Sequence, residues 1–173
     1  MRAIASQLVR ISATLNVVAL FLATGAVVVM VGAASWQVVA RYILFQPPIW
    51  TEELARFSMV WAGILGASCA YRAKLDPSLF PQMRELPGLR GKVLTIVASA
   101  GVLAFALPVV WYSVFGLNGQ MAGGYIARQF AKQADTLPIS MAAFAIVIPV
   151  GFFLIMLHTF AGLAMRLTQR DAG

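Results

Sequence analysis

Four long stretches of this chain carry no acidic or basic side chain, and this constrains the fold more than any other feature. They run over 11–40, 57–71, 93–127 and 136–165. Three of them are 30 residues or longer, and about 20 residues are enough for a helix to cross a bilayer. The second has only 15 uncharged residues. It reaches span length by drawing on 50–56, with Glu52, Glu53 and Arg56 near the membrane boundary. The first run is preceded by Arg2 and Arg10, as in a signal peptide, but a signal h-region is about 7–15 residues long. The run is therefore expected to be a retained helix. Composition points the same way: 61% of residues are apolar and 11% charged, against about 25% charged in soluble domains. The expectation is an all-α membrane protein with one integral membrane domain over 1–173. Its spans fall near 14–38, 50–71, 93–116 and 137–163.

The charges lie between the spans. Arg2, Arg10, Arg72, Lys74, Arg84, Arg90, Lys92, Arg166 and Arg170 fall on one side, and Arg41, Arg56, Arg128 and Lys132 on the other. The side with nine basic residues should be cytoplasmic, which places both termini inside. The net charge of +7 is thereby explained by membrane orientation, with no nucleic-acid partner. Trp36, Tyr42, Trp50, Trp111 and Tyr112 would sit near the outer ends of spans one to three, a depth that suits amphipathic rings. Trp36 and Trp111 could equally pack between helices.

Between spans two and three, Asp76-Pro77 reads as an N-cap with Pro at the first helical position. Leu79, Phe80, Met83 and Leu86 then suit a short interfacial amphipathic helix, ended by Pro87-Gly88. The outer connector over 116–137 reads as a broken end to span three followed by a loop.

Candidate chemistry is sparse. Cys69 is the only cysteine and His158 the only histidine, so an internal disulfide, a bis-His haem and a His-based metal cluster are excluded by counting. No phosphate-binding glycine loop and no Ser/His/Asp set occurs, so no catalytic or cofactor-binding residue is expected. The densest polar cluster is Trp50-Thr51-Glu52-Glu53-Leu54-Ala55-Arg56, with Arg41 shortly before it. Thr51 can cap the helix, with Glu52 and Glu53 in its first turn. Arg56 can meet Glu52 at i, i+4 or Glu53 at i, i+3. The cluster is an ordinary self-paired helix start, or a network of Arg41 and Arg56 with Glu52 and Glu53 that locks spans one and two or holds a partner chain. A Na⁺ or proton site on these acids is the weaker reading, since arginines flank them. In span two, Ala62, Gly66 and Ala70 repeat at four-residue spacing, as do Gly63 and Ala67, which favours close helix packing. Pro108 and Pro149 can kink spans three and four. His158 reads as interfacial or packed rather than as a proton relay.

These residues resemble a family. Arg41-Tyr42, Pro48-x-Trp50-Thr51-Glu52-Glu53-x-Ala55-Arg56, Trp61, Gly66-Ala67, Leu137-Pro138 and Ile148-Pro149-x-Gly151-Phe152 are similar to the small membrane subunit, DctQ type, of TRAP transporters. The chain departs from the pattern after span two. Arg72-Ala73-Lys74-Leu75-Asp76 stands where the family often has a Gly-His-like step, so no histidine acts there. The resemblance implies a secondary transporter, generally driven by a Na⁺ gradient, that takes up organic acids. A periplasmic binding protein delivers substrate, and a large membrane subunit holds the substrate and Na⁺ sites. This chain would form a heterodimer with the large subunit in the bacterial inner membrane, act as its scaffold and help dock the binding protein. Arg41, Trp50, Glu52, Glu53, Arg56, Trp61, Gly66, Pro138 and Pro149 are its candidate interface or structural residues. The alternatives are an independent small homodimeric transporter and a membrane anchor for a redox enzyme.

Overall fold

A computed structural model describes residues 2–75 and 88–169. In chain order the elements are α1 (Arg2–Tyr42), α2 (Trp50–Ala73), α3 (Gly88–Val114), a 3-10 turn (Met121–Gly123), α4 (Tyr125–Phe130), α5 (Ala142–Ala145) and α6 (Val147–Gln169). In hydrocarbon no water satisfies backbone N–H and C=O groups, so apolar segments of this length close their hydrogen bonds internally as helices. Four helical stretches are long and apolar enough to cross a bilayer: Ser6–Tyr42, Trp50–Ala73, Leu89–Val114 and Ala142–Met165. They are the four expected spans in the expected order. The interfacial helix expected between spans two and three lies outside the described residues.

Several boundaries differ from expectation, each for a local reason. α1 has 41 residues, about 60 Å at 1.5 Å per residue, so it projects well beyond a hydrocarbon layer of about 30 Å. The connector between spans three and four holds more than a loop. It contains the 3-10 turn, α4 and an antiparallel bridge between Gln133 and Ser140. Span four starts at Ala142 rather than Leu137 and comes in two pieces that part at Ile146. Pro149 explains the break: it has no N–H for the carbonyl of Ala145, and its ring crowds that carbonyl. In α6 the same proline occupies the first turn, where no N–H is needed. Pro108, by contrast, lies inside a helix that runs through it.

The helices pair as two hairpins. α1 packs along α2, α3 packs chiefly on α6, and α6 also lies against α1 and α2. The core sits among α1, α2 and α6. It is built from Ala19, Ala23, Leu65, Cys69, Val147 and Leu154, with Leu15, Trp61, Ile64 and Ile148 packed against it. Lipid tails are as apolar as leucine, so helices in a bilayer gain by close van der Waals approach rather than by escape from water. α1 accordingly buries small residues, Ala19, Ala23, Ala33 and Ala40. α6 meets α2 tightly at Gly151, where an added Cβ would run into Ile64 Cγ2. Gly66 and Gly63 have open space around their Cβ positions, so neither glycine of the small-residue repeats in α2 is held in a tight contact within this chain. Large apolar side chains such as Phe21, Val28, Val97 and Phe105 are exposed, as befits lipid-facing surfaces. Trp36, Tyr42, Trp50, Trp111 and Tyr112 also point outward near the ends of α1, α2 and α3 that carry the 43–49 and 115–141 connectors. These ends form the loop end of the bundle, and the opposite end is the termini end.

Gly151→Leu should lower the thermal midpoint of the purified protein, by the about 1–3 kcal/mol typical of an overpacked contact. Adding Ile64→Ala should restore most of it. Tryptophan fluorescence during heating reads both. An unchanged midpoint for the single variant would mean that α2 and α6 do not meet there.

Candidate functional site at the loop end

Glu53 lies one turn into α2 and is buried, 7% exposed. An unpaired carboxylate at that depth would be expensive, and its partners come from 82 and 83 residues away. The backbone N–H of Asp135 donates to Oε1 at 3.0 Å, and that of Thr136 donates to Oε2 at 2.8 Å. The Thr136 hydroxyl also donates to Oε2. Three donors thus fill most of the about four acceptor positions of a carboxylate.

The loop offers these amides because its own bonding holds it open. Ala134 N–H donates to Ile139 O at 2.9 Å and Met141 N–H to Lys132 O at 2.9 Å, bridging its two sides. Ser140 Oγ donates to Gln129 O at 3.1 Å. One turn further along α2, Phe57 stacks on Phe144 of α5, with centroids 3.9 Å apart and planes 6° from parallel. Glu53 and Phe57, four residues apart, therefore form one face of α2 that grips the α4–α5 connector. Pro138 lies in that connector and is exposed, and Pro149 is buried at the start of α6.

The other residues of the cluster separate. Glu52 and Arg56 pair at 3.5 Å, but their side chains are 66% and 65% exposed, and such a pair contributes only a few tenths of a kcal/mol. Arg41 is exposed in the last turn of α1, where a cation suits the helix dipole. Among the described residues it joins no ion pair. The structure therefore does not assemble two arginines and two glutamates into one network. Thr51 makes no cap bond. It is fully buried, and its hydroxyl donates to Pro48 O at 2.7 Å, while Ile49 is the N-cap. Trp50 is exposed beside the pair, and Trp61 packs on the core.

Sequence reasoning missed a second polar junction, at the termini end. Ser12 Oγ lies 2.8 Å from His158 Nδ1 and accepts from Arg72 Nε at 3.2 Å. Tyr71 Oη and Thr159 Oγ1 are 2.9 Å apart. These bonds tie α1, α2 and α6 together, so His158 is a packed core residue. The signal available was Ser12/Asn16 and Ser68/Arg72, polar pairs spaced four apart where apolar residues would be expected.

Glu53→Ala should leave two backbone donors without their acceptor and clearly lower the thermal midpoint, whereas Glu52→Ala, in an exposed pair, should leave it nearly unchanged. Limited proteolysis of the 133–140 segment, alongside the thermal midpoint, measures the difference. Equal effects would show that the two acids are equivalent.

A family model described as "Tripartite ATP-independent periplasmic transporters, DctQ component" matches residues 30–169. A comparison with curated proteins finds no match. The matched stretch is most of the chain and takes in Glu53, its partner loop and the α2–α6 contact. The chain therefore belongs to the DctQ family: it is the small, multi-pass membrane subunit of a bacterial tripartite transporter, and not an enzyme.

Proposed function

We propose that this subunit is a fixed wall for the large membrane subunit of a Na⁺-driven organic-acid uptake system, with its termini in the cytoplasm and its loop end facing the periplasmic binding protein. The observation that carries this reading is the state of Glu53. It is the one carboxylate buried among the described residues, and the chain's own loop takes up its oxygens. An ion-coupled carrier holds an ionisable group near the midplane, open to its ion. Here Glu53 stands at the start of its span, and its bonding sets loop geometry instead. A part that stays still while a neighbour moves needs such internal clasps. The orientation rests on the excess of Lys and Arg on the termini side.

Co-expression with the large subunit should yield a stable heterodimer. Glu52→Ala and Arg56→Ala should lower its yield more than they change substrate affinity, because the exposed pair contributes little to this chain's own fold and lies free for a neighbour. Wild-type yield with abolished substrate binding would contradict this. Na⁺-dependent uptake by the chain alone in liposomes would overturn the scaffold reading.

A further inference from the structure

The α3–α4 connector builds a cup that the Glu53 clasp does not use. Gly116 N–H donates to Gln120 O at 2.9 Å, Gly119 N–H returns to Gly116 O at 2.9 Å, and Gly123 N–H donates to Gln120 O at 3.1 Å. The strands of this loop touch through glycine. A Cβ on Gly116 would lie 2.7 Å from the carbonyl carbon of Gly123, and one on Gly124 would lie 2.2 Å from Val114 O. Gly119 takes a φ of 72°, a conformation open to glycine at no steric penalty. The frame borders an open depression of about 430 Å³ lined by Tyr112, Phe115, Leu117, Asn118, Gln120 and Arg128 around its glycines, with Leu117 and Arg128 exposed at its mouth.

The chemistry of the lining is one-sided. Arg128 supplies a cation with fork geometry, which matches a carboxylate, and among the described residues it joins no ion pair. Asn118 and Gln120 add side-chain amides, and Tyr112 and Phe115 give apolar walls. No Asp or Glu lines the cup. Of the other acids described at this end, Glu52 is paired with Arg56, Glu53 is held by the loop amides, and Asp135 is exposed with no ion pair. Apolar walls with a few convergent polar groups and a single unpaired charge are the makeup of a small-ligand site.

We propose that the cup over Tyr112–Arg128 is a carboxylate-binding site with Arg128 as its anchor. The carboxylate comes from a small free organic acid or from an acidic side chain of the periplasmic partner, and two measurements separate these sources. The second measurement rests on the tripartite assembly; the first does not.

The first is calorimetric titration of the assembled membrane complex with succinate, for wild type, Arg128→Gln and Arg128→Lys. Because the large subunit brings its own sites, the quantity read is the binding removed by Arg128→Gln. The second is association of the complex with the periplasmic binding protein, measured with the same variants at low and at raised salt. Loss of one succinate site in Arg128→Gln, with partial retention in Arg128→Lys, supports the proposal with a free acid as ligand. Unchanged succinate binding, with partner association weakened about tenfold in Arg128→Gln and less in Arg128→Lys, supports it with a partner side chain as ligand, since a charge-assisted fork is worth that much. If neither titration distinguishes Arg128→Gln from wild type while the heterodimer assembles normally, the proposal is overturned and the scaffold reading stands.

Discussion

Two helical hairpins in a bilayer gain nothing from mutual apolarity, because lipid serves their side chains as well as a neighbouring helix does. Something directional must fasten them. Here it is the carboxylate of Glu53, gripped by the amides of Asp135 and Thr136 at the loop end. It joins α2 to the connector that leads into span four. The Phe57–Phe144 stack lies against the same face, and the cup formed after α3 continues through α4 into this connector. At the termini end, Ser12, Arg72 and His158, with Tyr71 and Thr159, perform the matching task for α1, α2 and α6. Between the two clasps the contact of Gly151 with Ile64 sets how closely α6 approaches α2.

This arrangement bears on function through what it leaves unused. A carboxylate placed to bind an ion keeps its oxygens open, whereas Glu53 has three donors on them. The exposed Glu52–Arg56 pair, Arg41, Arg128, Lys132 and Asp135 are charged groups at this end that remain exposed. A membrane subunit bonded to itself inside and charged at its rim is consistent with the scaffold role proposed above.

The spans were legible because charge exclusion over 30 residues has few other physical meanings. Their order was equally clear, since polar connectors separate them. The start of span four was placed too early: the uncharged run begins at Thr136, but 136–141 form the loop that Glu53 holds. The partner of Glu53 was hidden for a general reason. Sequence spacing reports neighbours at i, i+3 and i+4 on one helix, so it offered Arg56, while the actual donors are two backbone amides and the Thr136 hydroxyl, 82 and 83 residues away. Backbone donors carry no residue signature at all. The Thr51 cap failed because the helix begins at Trp50, two residues earlier than a Thr51 cap requires. The tight contact at Gly151 appeared as part of the family-like run Ile148-Pro149-x-Gly151, but its partner Ile64 did not.

The central claim is that Glu53 organises the fold and does not bind the driving ion. The direct measurement is uptake per assembled complex in proteoliposomes as the driving-ion concentration is varied, for wild type and Glu53→Gln. The account predicts fewer assembled complexes for the variant, with each one showing the wild-type ion dependence. A variant that assembles fully but loses or shifts that dependence would make Glu53 an ion ligand and contradict the account.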